Sequence, residues 1–322
     1  MAPILIGLQD IRDAATRIAP YIHRTPVLTC ATLDRMAGAQ LFFKCENLQK
    51  VGAFKMRGAT NAVAQLDAGL AQRGVATHSS GNHGAALALA ARLMGIRAYV
   101  VMPDNAAVIK KQAVADYGAE ITYCQPSIAS RDEYLSSVIQ RTGATVIHPY
   151  NDERIIAGQG TAGLELMEQI PNLDILMTPV GGGGLISGCA IAAKSLNPKL
   201  RVIGVEPVGA DDARRSLAAG ALVPPMSPVS IADGLLAPLG EKTFAVIQTH
   251  VDDIVAVSDA AIIKAMRTVW ERMKIIIEPS AAVTVAAILE GKVTVASKRC
   301  GIVLSGGNVD LERLPWNVKR EA

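Results

Sequence analysis

The strongest constraint on the fold is the alternation of short apolar, β-branched runs with alanine-rich stretches whose apolar residues recur at helical spacing. Strands are predicted at residues 74–78, 98–102, 120–124, 175–180, 202–205 and 302–304, and helices at 85–94, 109–117, 131–141 and 163–169. Parallel strands need a crossover connection, most often a helix. The order therefore predicts an α/β fold with mostly parallel sheets.

The chain is long enough for more than one domain. Its 322 residues are 50% hydrophobic and 19% charged, which suits a large buried core and predicts two packed lobes. The strand–helix units between residues 74 and 146 look like a compact inserted module. We therefore predict a small domain over residues 51–146 and a large domain over residues 1–50 and 147–322.

Composition and charge argue against several classes of partner. The net charge is only +3 and no block of Lys or Arg is present, so nucleic acid is not expected. The uncharged stretch 175–193 contains Pro179 and four consecutive glycines, which favour a buried strand, loop and helix over a membrane span. Five widely separated cysteines and a start without a secretory signal predict a cytoplasmic location.

Lys55 is the first candidate catalytic residue. It lies among apolar and small residues in AFKMRGA, residues 53–59, directly before a predicted helix. Burial would lower its pKa and favour a free amine, which can condense with an aldehyde to form a Schiff base. The alternative from this motif alone is a solvated lysine on an amphipathic helix.

Two loops are candidate anion sites. HSSGNHG, residues 78–84, follows a predicted strand and opens a helix, and Ser79, Ser80 and Asn82 add donors suited to an amino-acid carboxylate. An ordinary helix cap is the alternative. VGGGGLISG, residues 180–188, has the same strand–loop–helix order without the Walker or dinucleotide pattern, so it favours a phosphate monoester.

Two further motifs follow predicted strands. VEPVGADDA, residues 205–213, offers Glu206 and Asp212 with carbonyls between them, which suits magnesium or calcium, although a solvated acidic turn is a serious alternative. LSGGN, residues 304–308, places Ser305 at the carboxyl end of a strand, where ligands gather in α/β sheets.

In order and spacing these motifs resemble those of the fold type II pyridoxal-phosphate enzymes. Over nearly its whole length the chain is similar to the serine racemase and serine/threonine dehydratase family, which includes 3-hydroxyaspartate ammonia-lyases. The resemblance also rests on HRTPV at 23–27, IAGQGT at 156–161, ADG at 232–234 and ERMKIIIEPSA at 271–281. It implies a tryptophan synthase β-like fold, with the cofactor between a large cofactor-binding domain and a small mobile substrate domain.

The resemblance also implies roles for individual residues. Lys55 would hold pyridoxal 5'-phosphate covalently and move the α-proton on one face, and Ser80 would serve the opposite face. The further residues that it assigns to the cofactor are Phe54, Asn82 at the phenolic oxygen, Gly181, Gly182, Gly183 and Gly184 at the phosphate, and Ser305 at the pyridine nitrogen. It assigns the substrate carboxylate to Ser79, Ser80, Asn82 and His83, and a structural Mg²⁺, or Ca²⁺ or Mn²⁺, to Glu206, the carbonyl of Ala210 and Asp212.

The implied reaction removes water from a small 3-hydroxy amino acid and gives a 2-oxo acid and ammonia. Return of a proton from Ser80 would instead give racemisation. Arg131 matches a position that reaches the distal carboxylate of a dicarboxylate, which indicates 3-hydroxyaspartate beside L-serine and L-threonine. The alternative is an exposed arginine in the first turn of a helix.

Departures from the family limit what it implies. Ala85 and Ala237 replace a glutamine and a serine of the animal serine racemases, which weakens the expectation of ATP activation and of serine preference. The chain stops shortly after LSGGN, so the regulatory domain of biosynthetic threonine dehydratases and its feedback control are not expected. A homodimer is expected.

Other functions stay open at this stage. Serine racemisation as the main activity and β-replacement of the cysteine synthase type use the same fold, although the latter enzymes usually carry a TSGNT-type loop. A lyase that uses Glu206 and Asp212 with a metal alone and a phosphate- or nucleotide-binding module without catalysis are the remaining alternatives.

Overall fold

The computed structural model describes residues 6–79, 81–106, 108–224 and 227–317, and it places their strands in two sheets. The strands, in chain order, are β1 (Val27–Leu28), β2 (Gln40–Cys45), β3 (Val75–His78), β4 (Ala98–Pro103), β5 (Glu120–Cys124), β6 (Thr145–Val146), β7 (Ile175–Pro179), β8 (Arg201–Pro207), β9 (Asp253–Val257) and β10 (Arg299–Leu304). Only the pairing of β1 with β2 is antiparallel among these strands, so the predicted α/β class with mostly parallel sheets is confirmed.

Helices connect the parallel strands. They are α1 (Leu8–Ile18), α2 (Ala31–Ala37), α3 (Lys55–Val63), α4 (Ala68–Arg73), α5 (Asn82–Leu93), α6 (Val108–Asp116), α7 (Ile128–Thr142), α8 (Glu153–Gln169), α9 (Gly184–Leu196), α10 (Asp212–Ala219), α11 (Glu241–His250), α12 (Asp259–Met273) and α13 (Pro279–Leu289). Local chemistry sets their ends. The side chain of Ser127 caps α7 by accepting from Ser130 N–H, and Gly143 ends that helix at a φ of +68°.

The larger sheet has the strand order β1-β2-β10-β7-β8-β9 and is covered on both faces. Along β7 every position is buried, as expected for a central parallel strand. Ile175 and Met177 pack on one face with α12 and α13, whereas Leu176 packs on the other face with α8 and α9. The period of two residues therefore divides the core of this lobe into two layers.

The smaller sheet has the order β5-β4-β3-β6 and lies within residues 75–146. Val75 and Ala98 pack against α3 and α5, while Ala76 and Tyr99 pack against α7 on the other face. Two sheets with separate cores agree with the two predicted lobes. The exact domain boundaries after residues 50 and 146 stay a prediction.

Residues 175–193 form β7, the glycine loop and part of α9, as the sequence predicts. Within the described part of the chain, no helix is both long and apolar enough to cross a membrane.

A buried cluster of charges ties β2, α3 and α8 together. The guanidinium of Arg57 donates to Glu46 at 2.7 and 2.8 Å and to Glu165 at 2.8 and 2.9 Å, and Lys44 Nζ donates to Glu165 at 2.6 Å. Arg57, Lys44 and Glu46 are completely buried and Glu165 is 8% exposed, so two cations balance two carboxylates almost entirely away from water. This cluster holds the first turn of α3, where Lys55 lies.

The substitution Arg57→Met is expected to lower the free energy of unfolding by about 3–5 kcal/mol, because it leaves Glu46 and Glu165 buried without their shared partner. Urea unfolding measures the loss. As a control, Arg24→Met removes a pair with Glu168 whose side chains are 57% and 48% exposed, and it should cost less than about 1 kcal/mol. Equal losses in the two variants would contradict the assigned role of the cluster.

Candidate functional site

Several loops that follow strands of the two sheets meet between the sheets. Phe54 N–H donates to the carbonyl of Ser305 at 3.0 Å, and Ala53 forms an isolated bridge with Gly306. Asn308 donates to Asn82 Oδ1 at 2.9 Å, which joins the loop after β10 to the first residue of α5. The cleft therefore collects residues from the Lys55, HSSGNHG and LSGGN motifs.

Lys55 is the first residue of α3, and its Nζ donates to the carbonyl of Pro149 at 2.8 Å. Burial lowers the pKa of Lys55 to about 8, while the nearby Glu278 carboxylate opposes this shift. In about half of the molecules, therefore, the Lys55 side chain is a neutral amine at pH 8. Such an amine is the nucleophile that attacks an aldehyde.

The glycine loop lies between β7 and α9. A Cβ atom at Gly182 would lie 2.3 Å from the Tyr150 ring, and one at Gly181 would lie 2.9 Å from Leu235 Cα. Gly183 caps α9 at a φ of +86°, and Thr243 Oγ1 donates to the carbonyl of Gly182 at 2.8 Å. Bare backbone at the N terminus of a 13-residue helix is suited to a phosphate, so these residues fit the phosphate of the expected cofactor.

The HSSGNHG loop combines a helix cap with free donors. Ser79 Oγ accepts from Gly81 and Gly84 N–H at 3.2 and 3.0 Å, so this hydroxyl caps α5. Within the described residues the backbone N–H groups of Asn82 and His83 have no hydrogen-bond acceptor. They remain available for a carboxylate, whereas Ser80 lies outside the described residues.

The His83 ring is buried against Ile147, the residue that follows β6. Its Nε2 lies 3.2 Å from the carbonyl of Ile147, and burial lowers the pKa of His83 to about 3. The ring is therefore neutral. Its Nδ1 is buried without a hydrogen-bond partner among the described residues, and the backbone N–H of His83 is left free in the first turn of α5.

Ser305 follows the last residue of β10 and is 3% exposed. Its backbone pairs with Phe54, the residue before Lys55. A hydroxyl is thus the polar side chain at this strand end, and its residue is bonded through the backbone to the residue before Lys55.

Arg131 lies in the first turn of α7, yet its Nε atom is buried and has no hydrogen-bond partner among the described residues. The neighbouring His78 ends β3. Burial lowers the pKa of His78, and the charge of Arg131 adds to this effect while Asp132 opposes it. A buried, unsatisfied guanidinium nitrogen whose charge acts on His78 argues against the simple exposed arginine that was the alternative.

His148 and Tyr150, between β6 and α8, were missed at the sequence level. His148 Nδ1 accepts from Tyr150 and Asn151 N–H at 3.2 and 2.9 Å, so the ring hydrogen is on Nε2. Burial lowers the pKa of His148 to about 4. The Tyr150 ring packs edge-to-face on His148 at 4.5 Å and also covers Gly182. Their only possible signal is their position after β6, and a two-residue strand gives no periodicity from which to predict it.

Glu206 and Asp212 are 1% and 6% exposed. Glu206 accepts from Ala213 and Arg214 N–H at 3.3 and 2.8 Å, and Asp212 accepts from Leu239 N–H at 3.2 Å. Burial raises the pKa of Glu206 to about 8. No cluster of three or more His, Cys, Asp or Glu side chains suited to a metal occurs among the described residues, so carbonyls would have to complete a cation site here.

Comparisons with known proteins point to one family. The protein-family model described as "Pyridoxal-phosphate dependent enzyme" matches residues 18–306 of this chain. The chain is 50% identical over 309 residues to beta-hydroxyaspartate dehydratase of Paracoccus denitrificans, which covers 96% of this chain and 98% of that protein. The crystal structure of serine racemase from Dictyostelium discoideum has a TM-score of 0.91 at 50% identity, covering 95% and 99% of the two chains. A pyridoxal 5'-phosphate-dependent aspartate racemase has a TM-score of 0.93 at 39% identity, covering 98% and 100%.

Proposed function

Because the chain belongs to the family of pyridoxal-phosphate-dependent enzymes, we propose that it removes water from a small 3-hydroxy amino acid and releases a 2-oxo acid and ammonia. The preferred substrate in this proposal is 3-hydroxyaspartate, followed by L-serine and L-threonine. The observation that carries the preference is the buried, unsatisfied Nε of Arg131, whose charge acts on His78 at the start of the HSSGNHG loop.

When bound, pyridoxal phosphate supplies an electron sink for the bonding pair of the Cα–H bond. Lys55 Nζ binds the aldehyde and, once released, takes the α-proton. The backbone at Gly181–Gly184 would hold the phosphate, since Cβ atoms would clash there, and the buried Ser305 hydroxyl would be the partner of the ring nitrogen. A neutral hydroxyl does not hold a proton on that nitrogen as a carboxylate does. The resulting weaker sink favours loss of a β-hydroxyl over other reactions.

Substrate binding needs one anion site for each carboxylate. The free N–H groups of Asn82 and His83 suit the α-carboxylate, because they begin α5 and point out of its N terminus. Arg131 suits the distal carboxylate, since an arginine can donate two parallel hydrogen bonds to it. His78, whose pKa burial lowers, is neutral and adds no competing positive charge near Arg131.

The direct test measures the 2-oxo acid that the enzyme forms from L-serine, L-threonine and each 3-hydroxyaspartate diastereomer. Coupled assays specific for each 2-oxo acid give the rates. Oxaloacetate is expected to dominate, and Lys55→Ala is expected to abolish all turnover, because the amine both binds the cofactor and moves the proton. Lys50→Ala is a nearby control that should keep full activity. Turnover that survives in Lys55→Ala would reject the proposal in favour of a cofactor-independent lyase.

Arg131→Leu is expected to lower kcat/KM for 3-hydroxyaspartate by about 10- to 100-fold, which corresponds to losing a charged hydrogen bond of about 1.5–3 kcal/mol. The value for L-serine should change by less than about threefold, because serine has no distal carboxylate. Arg141→Leu is the matched control, since Arg141 lies on the same helix and pairs with Glu120. Equal losses for both substrates would remove Arg131 from the specificity site.

Racemisation is the second candidate activity, favoured by the likeness to serine racemases. It requires a proton donor on the face opposite Lys55, the role that the sequence resemblance implies for Ser80. The test of racemisation is the formation of D-serine from L-serine, measured by chiral chromatography.

We also propose a divalent cation, Mg²⁺ first, at Glu206, Asp212 and the carbonyl of Ala210. Both carboxylates are buried, and neither belongs to an ion pair among the described residues, whereas their neighbour Asp211 pairs with Arg214 and Arg215. The proposed cation is structural, and no step of the reaction passes through it.

Mg²⁺ at 100 times its Kd is expected to stabilise the protein by about 2.7 kcal/mol, because it binds the folded chain. The measurement is the midpoint of urea unfolding with Mg²⁺ and with EDTA. In Glu206→Gln the unfolding midpoints with Mg²⁺ and with EDTA should be equal. In Glu290→Gln, which changes an exposed residue bonded to Ser258, the midpoints should differ as in the wild type. A Mg²⁺ effect retained in Glu206→Gln would place the cation elsewhere.

We propose a cytoplasmic homodimer as the working form. Two large apolar side chains, Leu48 and Ile276, are 45% and 47% exposed, and the segments that carry them are in contact because the Asn47 side chain donates to the Ile276 carbonyl at 3.0 Å. Sedimentation of the holoenzyme at the mass of one chain would reject the dimer.

A further inference from the structure

A chain of side-chain hydrogen bonds crosses the cleft between the two lobes. Asn308 Nδ2 donates to the carbonyl of Val51 at 2.7 Å and to Asn82 Oδ1 at 2.9 Å. Asn82 Nδ2 in turn donates to the two carboxylate oxygens of Glu278 at 2.9 and 3.2 Å. This series of hydrogen bonds runs from the Val51 carbonyl to the Glu278 carboxylate. It passes through Asn82, the residue expected at the phenolic oxygen of the cofactor.

This order of partners fixes which way each amide points. A backbone carbonyl only accepts, so Asn308 must turn its Nδ2 toward Val51. An ionised carboxylate also only accepts, so Asn82 must turn its Nδ2 toward Glu278. Asn82 Oδ1 is then left for Asn308, and the amide has one orientation that satisfies both neighbours.

The position of Glu278 indicates a role beyond capping its helix. It is the N-cap residue of α13, but its side chain makes no capping hydrogen bond. The carboxylate is instead 3% exposed and reaches Asn82 on the other lobe, and a Cβ atom at Gly306 would lie 2.4 Å from its Oε1. The local structure thus leaves room for this carboxylate at the cleft.

We propose that Glu278 is a positioning residue for pyridoxal phosphate: it holds the Asn82 amide so that the second hydrogen of Nδ2 faces the phenolic oxygen of the cofactor. Because Nδ2 carries two hydrogens, one serves Glu278 and one serves the cofactor. The carboxylate also polarises the amide and strengthens the second hydrogen bond. The proposal rests on the proposed role of Asn82 and needs no assumption about the substrate.

The charge of Glu278 gives this positioning a pH dependence. Burial raises the pKa of Glu278 to about 7, with Lys110 opposing the shift and Asp233 adding to it. When protonated, the carboxyl becomes partly a donor and holds the Asn82 Nδ2 less well. Cofactor affinity in the wild type should therefore fall as the pH drops through about 7.

Other charged groups face Glu278 and titrate or pair nearby. Lys110 from α6 pairs with Asp233, which follows the loop after α10, and Lys55 from α3 is within electrostatic range. The pKa of Lys55 is about 8, so cofactor attachment by Lys55 also depends on pH. Only the difference between the profiles of wild type and variant isolates Glu278.

The test is a titration of apoprotein with pyridoxal phosphate between pH 6 and pH 9, followed through the visible absorbance band of the bound cofactor. Glu278→Gln is expected to bind about tenfold more weakly at pH 8, to shift the band and to lose the pH dependence near pH 7. A tenfold loss corresponds to one charge-assisted hydrogen bond. Glu290→Gln, at the other end of α13, should match the wild type in all three measurements.

Asn308→Ala provides a second route to the same amide. It removes the donor to Asn82 Oδ1 and is expected to weaken cofactor binding in the same direction. The double variant Glu278→Gln/Asn308→Ala should lose less binding free energy for the cofactor than the two single variants lose together, because both substitutions act through the Asn82 amide. If Glu278→Gln fails to fold, Asn308→Ala carries the test with the same measurements.

An unchanged affinity, band and pH profile in Glu278→Gln would overturn the proposal. So would a variant that is less stable without cofactor but has an unchanged band when loaded, since Glu278 would then be purely structural. These measurements use no substrate, so their failure leaves the proposed reaction untouched. Absence of turnover on hydroxy amino acids would, conversely, reject the proposed reaction and not the role of Glu278.

Discussion

The active-site geometry depends on a buried, charge-balanced cluster. Arg57 and Lys44 face Glu46 and Glu165 in a region almost closed to water, where an unpaired charge would cost several kcal/mol. The cluster joins the strand β2 to the helices α3 and α8. Since α3 begins at Lys55, the reactive amine is placed by contacts made two residues further along the chain. A small displacement of this helix would move the amine away from the carbonyl of Pro149, to which it donates at 2.8 Å.

Burial acts on the cleft in two opposite ways. It lowers the pKa of Lys55 and of His148, which leaves a nucleophilic amine and a neutral imidazole donor. It raises the pKa of Glu206 and of Glu278, which are held as carboxylates only with the help of nearby donors or cations. One physical cause thus favours the neutral amine and makes the ionisation of the carboxyl groups sensitive to their surroundings.

The strands that were predicted from the sequence lie within a few residues of their observed bounds. The prediction at 98–102, for example, corresponds to β4 at Ala98–Pro103. However, β9, Asp253–Val257, was missed although it is also an apolar run. The strand β2 was missed, because QLFFKC carries a lysine that the structure buries against Glu165. The two-residue strand β6 has no periodicity to detect, so the cleft residues that follow it, His148 and Tyr150, were missed as well.

The sequence alone determined the family, the α/β class and the motifs that supply Lys55, the glycine loop and Ser305, because these depend on residues close together in the chain. The tertiary structure decided which distant groups meet at the cleft. Asn82 and Glu278 are 196 positions apart, yet they share hydrogen bonds between the lobes. Arg131 is no exposed surface residue, since folding buries its Nε without a partner. Pairings of this kind follow from how the two sheets pack together, and no local pattern of residue types encodes that packing.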